Sequence, residues 1–373
     1  MKKVISFIFA VLAMVSCSEP TPQELFEESK SGVVLILNEY YYTLTMPNGN
    51  NLYFTGIDSD GDLENVCFEV EDIKKQRRIM SGTGFFVGND GLIMTNRHVA
   101  QPQIDLTEVK NGYNQLVSGI KMLYTMRMQK LSNDYAELEN SKSNCYGYDY
   151  YGNYVFDSDK YHEIESQQEE LNTEYTSLSE TRDALDDNVS LSELKITANC
   201  LLGIAYNNTY ITSDKDFIEK NPCVLVRTSA EENTDLALIQ LKNKKTPDEA
   251  YVFDTDGAGN ESIIDKIKSV INGDDDASLK IDQNLYMIGY NAGPTLATTK
   301  QGIQVQMTSG KLSQLPDGER LLYSIPTVQG SSGSPVIDDK GRLVAVNFAK
   351  LVGSDNFNFG IPMNKVRNFL SKQ

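Results

Sequence analysis

The sequence predicts a mainly β protein, a sandwich or barrel interrupted by one long helical hairpin. Two observations point there. Short runs rich in β-branched and aromatic residues recur between turn signals along most of the chain, and residues 104–195 lose that texture and take up three-and-four apolar spacing instead. A third observation, a positive start followed by a brief apolar run, sets the amino-terminal end apart from both.

That end reads "MKKVISFIFAVLAMVSC", with Lys2 and Lys3 ahead of the apolar stretch Val4 to Val15. The stretch is too short to span a bilayer, which takes about twenty residues. Ser16-Cys17 closes it as a bacterial lipoprotein signal closes, so residues 1–17 are expected to be a signal peptide with Cys17 the lipidated first residue of the mature chain. The expected location is the bacterial cell envelope, lipid-anchored on the periplasmic or outer-membrane face. Export implies an oxidising compartment. Cys67, Cys145, Cys200 and Cys223 then either form two disulfides, with three pairings open, or stay as free buried thiols.

Strand texture begins with "GVVLILNEYYYTLTM" and "GTGFFVGNDGLIMTN", where "GNDG" is a hairpin-type turn. Beyond Pro102 two apolar stripes follow: Val117, Tyr124, Met128, Leu131, Tyr135 and Leu138, then Ile164, Leu171, Tyr175, Leu178 and Leu185. The break "GYDYYGNY" between them reads as the tip of an antiparallel helical hairpin with a coiled-coil seam. Residues 103–195 hold 18 acidic and 8 basic residues, so about −10 of the chain's −18 sits on this arm. A solvated arm fits a spacer or an oligomerisation element, or a clamp for substrate or partner. Strands resume with "NCLLGIAYNNTYI", "CVLVRTS" and "DLALIQL" and continue to "NFGIP", before a short amphipathic helix, "MNKVRNFLSK", closes the chain.

Charge and motif content exclude several functions. A net charge of −18 and a pI near 4.6 repel phosphates, which excludes nucleic acid and anionic membrane surfaces as partners. No C-x-x-C or H-E-x-x-H pattern occurs, and the acidic loops at 58–64, 254–261 and 273–276 lack the twelve-residue calcium spacing. No metal and no cofactor are expected.

Two histidines are present. His162 sits among polar residues of the acidic arm and reads as an exposed helix residue. His98, in "TNRHVA", follows directly on an apolar strand, where a core role would fall to an apolar side chain. Asp235, in "ENTDLALIQL", places a carboxylate at the mouth of a buried strand. "GSSGSPV", residues 330–336, sets serines on a glycine turn that brings backbone N–H groups to one point, as an oxyanion hole requires. A serine on such a turn becomes a nucleophile when a histidine takes its proton and a carboxylate fixes that histidine's tautomer. The order His98, Asp235, Ser332 differs from that of the α/β-hydrolases, and the turn lacks the last glycine of their G-x-S-x-G elbow.

These stretches resemble the trypsin-like serine proteases, and the HtrA (Do-like) protease domain most. "GTGFFVGNDGLIMTNRHV" is similar to that family's G-[ST]-G-F stretch leading to T-N-x-H-V, and "TDLALIQL" to its T-D-[IL]-A-[LV]. "GSSGSPV" with "GRLVAVNFA" is similar to its nucleophile turn and following strand, and "NFGIPMNKVRNFL" to its last strand and helix. The resemblance covers residues 80–102 and 220–370, and 22–79 less clearly. It implies a chymotrypsin-like fold: two six-stranded antiparallel β-barrels, with the helical hairpin inserted and a short C-terminal helix. The expected domains are an N-terminal barrel of residues 18–102 and 196–247, the inserted hairpin 103–195, and a C-terminal barrel with the terminal helix, 248–373.

It implies further a serine endopeptidase with His98, Asp235 and Ser332 as catalytic residues and the N–H groups of Gly330 and Ser332 as oxyanion hole. Residues Ile325 to Gln329, with Pro326, Thr327 and Gln329 as substrate-binding residues, would form one wall of the pocket, and Asn347 to Lys350, with Asn347, Phe348 and Ala349, the other. An uncharged Pro326 near its deepest point points to a small or medium aliphatic residue before the cleaved bond. Three departures stand out. Asp235 follows His98 by 137 residues, an excess the arm accounts for; Ser331 replaces the aspartate that digestive trypsins pair with a freed N-terminus; and no PDZ module is expected. Protein or peptide substrates, a lipid-anchored membrane attachment and a homo-oligomer are the expected partners, and envelope protein processing or quality control the expected role. The alternative is a catalytically weak protease fold serving as a binding scaffold, with the arm used for partner binding or oligomerisation.

Overall fold

The computed structural model describes residues 20–46, 49–231, 233–255, 279–350 and 358–371. The leader with Cys17, most of loop 254–261 and the loop 273–276 lie outside the described residues. Two compact units form: one from residues up to Tyr40 with Arg77–Gln103 and Ala198–Gln373, the other from Tyr41–Gln76 with Ile104–Thr197.

The first unit holds two closed antiparallel barrels. In one, β1 (Val33–Thr45), β5 (Arg78–Phe86), β6 (Leu92–Thr95), β11 (Ala237–Leu241), β10 (Pro222–Thr228) and β9 (Lys195–Tyr206) pair in that order, and β9 returns to β1. The first half of β1 explains the unbroken apolar run in its sequence. Val34 and Ile36 point into the barrel core with Phe86, Ile93 and Ile239, while Val33, Leu35 and Leu37 pack on the opposite side with Phe85, Met94, Ile288 and Tyr290. Both faces are buried, so no polar alternation survives. Gly84 is required here, because a Cβ would lie 2.7 Å from both Ile36 Cδ1 and Ile93 Cγ2.

The other barrel runs β12 (Asn284–Gly289), β15 (Gln306–Gln314), β16 (Leu321–Tyr323), β19 (Asn358–Pro362), β18 (Leu343–Lys350) and β17 (Pro335–Asp338), with β12 and β17 closing it. Leu285, Met287, Leu312, Tyr323, Val336 and Ala345 fill it. The side chains of Val33, Leu35, Tyr286, Ile288, Ile337 and Val346 form one cluster, so the barrels share an apolar seam. Helix α8 (Met363–Ser371) adds Met363, Val366 and Phe369 to that seam. Arg227 caps its last turn, donating from Nη2 to the carbonyls of Phe369 and Leu370 at 2.7 and 2.9 Å. Around the barrels lie α1 (Pro22–Ser29), α3 (Arg97–Ala100), α6 (Asp214–Lys220), α7 (Pro294–Ala297) and the short ladder of β13 (Thr298–Thr299) and β14 (Gly302–Ile303).

In the second unit, the outer end of β1 pairs with β2 (Asn51–Phe54), beside the small ladder of β3 (Gly56–Ile57) with β4 (Leu63–Glu64) and the turn of helix α2 (Val70–Ile73). The predicted hairpin is present as α4 (Leu106–Ser141) and α5 (Ser158–Ala184), capped at their starts by the Asp105 and Asp157 carboxylates. Val109, Tyr113 and Val117 are buried at its base and Met128, Leu131, Ile164 and Gln168 along its length. Tyr135 and Tyr175 of the expected stripes are exposed, so the apolar seam is narrower than the sequence suggests, and the pair Arg127–Glu174 and the bond from Gln168 Nε2 to Glu139 Oε2 supplement it. At the tip, β7 (Tyr146–Tyr148) and β8 (Tyr154–Phe156) are joined by a turn that the Asp149 carboxylate organises, accepting from the N–H groups of Tyr151 and Asn153.

All four described cysteines carry free thiols, and of these Cys145 and Cys223 are buried as the second alternative expected, whereas Cys67 and Cys200 are only half-buried. Burial pushes the Cys223 thiol up to about 12 and raises that of Cys200. Thiolate is the reactive form, so at pH 8 iodoacetamide should modify the half-buried Cys67 well before Cys223, which should react only once denaturant opens the barrel. Peptide mapping over a time course reads this; early alkylation of Cys223 would contradict the burial assigned to it.

Candidate active site

His98 stands in α3, the single helical turn that follows β6. Two supports hold this turn. Asn38, wholly buried in β1, donates from Nδ2 to the carbonyls of Val99 and Ala100 at 2.9 and 3.1 Å, and Val99 and Ala100 pack into the barrel core. The orphan carbonyls of a helix end are thus satisfied by one side chain from a strand some sixty residues earlier.

Asp235 lies in the loop leading into β11 and gives both carboxylate oxygens to His98. Oδ1 accepts the backbone N–H of His98 at 3.0 Å, and Oδ2 lies 2.5 Å from Nδ1. A carboxylate at that distance keeps the proton on Nδ1, which leaves Nε2 as the basic nitrogen. The backbone carbonyl of Asp235 accepts from Asn96 Nδ2 and from the N–H of Arg97 at 2.8 and 3.2 Å, and Arg97 Nη1 reaches the Ser229 carbonyl at the start of the same loop. Five interactions therefore tie the acid's loop to the histidine's turn.

Ser332 lies on the turn between Val328 and β17, where Gly330 and Gly333 take φ of 99° and 86°, left-handed values that glycine adopts freely. Space is as restrictive as conformation. A Cβ on Gly330 would lie 2.3 Å from Gly293 N, and one on Gly333 2.1 Å from the Thr83 carbonyl oxygen and 3.2 Å from Asn96 N. The glycine turn that carries Ser332 thus packs against Asn96, two residues before His98. Along the turn, the N–H groups of Ser331, Gly333 and Ser334 donate to Val328 O, Asn347 O and Ser331 O. Among the described residues, those of Gly330 and Ser332 donate to no protein acceptor.

The residues expected to form the substrate pocket divide by exposure. Pro326 and Gln329 are exposed, whereas Thr327 is buried and its hydroxyl donates to Asn358 Oδ1 at 2.6 Å. Asn347 is also buried, with both ends of its amide engaged. Nδ2 donates to the Ser331 carbonyl at 2.9 Å, and Oδ1 accepts the Tyr323 hydroxyl at 2.7 Å. The Phe348 ring is half-buried and lies 6.4 Å, centroid to centroid, from that of Phe359. Ala349 belongs to β18, but its side chain lies outside the described residues. Ser331, in the place of the trypsin aspartate, is buried and donates from its hydroxyl to Val328 O at 2.7 Å.

His162 is exposed on α5 beside Glu165 and far in sequence from these groups. At 58–64 the Asp58 carboxylate accepts from the N–H groups of Asp60 and Asp62, an ordinary solvated turn, and no cluster of three metal-ligating side chains occurs among the described residues. No described helix is long and apolar enough to cross a membrane. Asn38, Thr83 and Tyr323 escaped the sequence reading, although a lone asparagine inside "VVLILNEYYY" is a visible anomaly.

The family described as "Trypsin-like peptidase domain" matches residues 196–346, a span that holds Asp235 and Ser332 and begins after the arm, so that His98 precedes it. Glutamyl endopeptidases of Staphylococcus aureus are similar over a short stretch. Those of strains MW2 and MRSA252 are each 30% identical over 97 residues, 26% of this chain and 27% and 25% of those proteins. The chain thus spans about a quarter of the length of the curated relatives it matches. The serine endoprotease from Yersinia pestis aligns over 95% of this chain and 67% of its own, with 12% identity and a TM-score of 0.42. The family match supports a trypsin-like peptidase domain over residues 196–346.

Replacing Asn38 by alanine should leave the Val99 and Ala100 carbonyls buried and unpaired, at a cost of about 1–3 kcal/mol each when no water enters. Urea unfolding of the purified variant measures this, and an unchanged midpoint would mean that α3 does not depend on the brace.

Proposed function

We propose that this chain is a serine endopeptidase that hydrolyses peptide bonds through an acyl-enzyme. The observation that carries the reading is the double engagement of His98 by Asp235, set beside a glycine turn whose Gly330 and Ser332 N–H groups are unspent among the described residues. Ser332 Oγ attacks the scissile carbonyl while His98 Nε2 takes its proton, and the imidazolium then protonates the leaving amine. Asp235 holds the ring in orientation and stabilises its charged form. The two N–H groups receive the oxyanion of the tetrahedral intermediate, each donor worth about 3–4 kcal/mol of barrier. Water enters after the amine departs, and the same base activates it to release the acid product.

The protein or peptide substrate lies between the Pro326–Gln329 segment and the start of the Asn347–Ala349 segment. No acidic side chain occurs in Ile325–Gln329 or Asn347–Lys350, which leaves lysine and arginine before the cleaved bond without a counter-charge. The leader and Cys17 support, as part of this proposal, a lipid-anchored protein of the bacterial envelope in processing or quality control of envelope proteins, with the arm available for partner binding or self-association.

A fluorophosphonate probe should label the chain stoichiometrically, and Ser332→Ala should abolish the label; a folded chain that takes none would make the binding-scaffold reading correct. Asp235→Asn should lower kcat by about 10⁴ by favouring the wrong tautomer. Profiling with a peptide library should show cleavage after small or medium aliphatic residues. Cleavage after glutamate, the residue in the name of the staphylococcal relatives, would show instead that a cation serves the pocket. In cells fed radiolabelled palmitate, Cys17→Ala should remove the label.

A further inference from the structure

We infer that Thr83 is a positioning residue that sets the Gly330 donor of the oxyanion turn, acting from one barrel on the nucleophile loop of the other; this rests on the endopeptidase reading above. Thr83 lies in β5 and is wholly inaccessible to solvent. Four hydrogen bonds converge on it. Its N–H donates to the Ser332 carbonyl at 2.8 Å, and its own carbonyl accepts the Thr95 hydroxyl at 2.7 Å. Its hydroxyl donates to the Gly330 carbonyl at 2.9 Å and accepts the Tyr290 N–H at 3.0 Å.

The two candidate oxyanion donors are controlled by different anchors. Ser332 N–H belongs to the Ser331–Ser332 peptide, whose carbonyl is fastened inward by Asn347 Nδ2 and the Ser334 N–H. A trans peptide points its N–H opposite to its carbonyl, so that anchor alone aims the Ser332 donor outward. Gly330 has no such anchor on the preceding carbonyl. Its N–H direction follows from the φ of Gly330 itself, a glycine that loses nothing by rotating. What restrains it is the grip on its own carbonyl, and Thr83 Oγ1 supplies that grip. The neighbouring wall is set by the same atom, because Gly293 N, which leaves no room for a Cβ on Gly330, belongs to the turn that starts at Tyr290.

A hydroxyl with one proton donated and one lone pair filled is fully used here, and an apolar side chain of equal shape would strand a buried carbonyl and a buried N–H together. The strain would be relieved by turning Gly330, the softest residue in reach. Thr83 therefore acts on the transition state through Gly330 rather than by touching substrate.

The experiment compares the full chain with Thr83→Val and Thr83→Ser, counting active sites with the fluorophosphonate so that only folded, labelled molecules enter kcat. A peptide boronic acid reports affinity for the tetrahedral state, and the matching unreactive peptide amide reports ground-state affinity. The valine variant should lose about 10²–10³ in kcat per labelled site, the effect of one missing oxyanion donor, with KM near wild type and boronate affinity falling by a similar factor. Serine, which keeps the hydroxyl, should restore both to within about threefold. If valine does not fold, Thr83→Ala enters the same comparison, and full activity per site in either variant overturns the inference. A serine variant as impaired as valine also overturns it, since packing rather than the hydroxyl would then matter. A wild-type chain that takes no probe overturns the endopeptidase reading and this one together, whereas a labelled wild type with a fully active valine variant overturns this one alone.

Discussion

Asp235 spends both carboxylate oxygens on a single residue, and the geometry of the site depends on that. One oxygen fixes where the backbone of α3 begins and the other fixes how the imidazole is turned, so position and tautomer of His98 cannot drift independently. A loop between strands would not by itself hold a carboxylate so closely. Asn96, Arg97 and the Ser229 carbonyl provide the restraint, all within a few residues of the two groups they align. Preorganisation of this kind lets a solvent-reachable imidazole remain directed without being buried.

The glycine turn that carries Ser332 is organised by a different principle. Few of its polar atoms are left to solvent, and its carbonyls are drawn inward by Thr83, Asn347 and the Ser334 N–H. Digestive trypsins use a charge pair with a new N-terminus for this purpose. Here a serine hydroxyl, an asparagine amide and a tyrosine hydroxyl form a neutral, buried chain of hydrogen bonds from Val328 to Tyr323. A satisfied neutral network avoids the cost of burying an ion.

Much of this was legible in the chain. His98 could be singled out because histidine occurs twice and one of the two follows an apolar strand, and Ser332 because glycines bracket it at positions where a Cβ has no room. The barrels were legible as short runs between turn signals. Asn38 and Thr83 were not legible as parts of the site, since their partners stand 61 and 247 residues away and nothing local marks the distance. Asn347 was read as a pocket wall from its place in a motif, while its amide in fact braces the turn from behind. The hairpin was read correctly in outline and too generously in its seam, because apolar spacing does not reveal that Tyr135 and Tyr175 keep their rings in water.

The arm's place in the chain has a consequence for biogenesis. Gln240 of β11 bonds to Asp90, just before β6, across a separation of 150 residues. During synthesis, at about 5–20 residues per second, β1, β5 and β6 emerge and then wait roughly seven to thirty seconds for the strands that close their ring. The helices made in that interval fold locally within microseconds, whereas the first three strands present open edges to whatever is nearby. A polypeptide built in this order is at greatest risk of misassembly before its second half exists, and a holding chaperone would be needed at that stage more than at any later one.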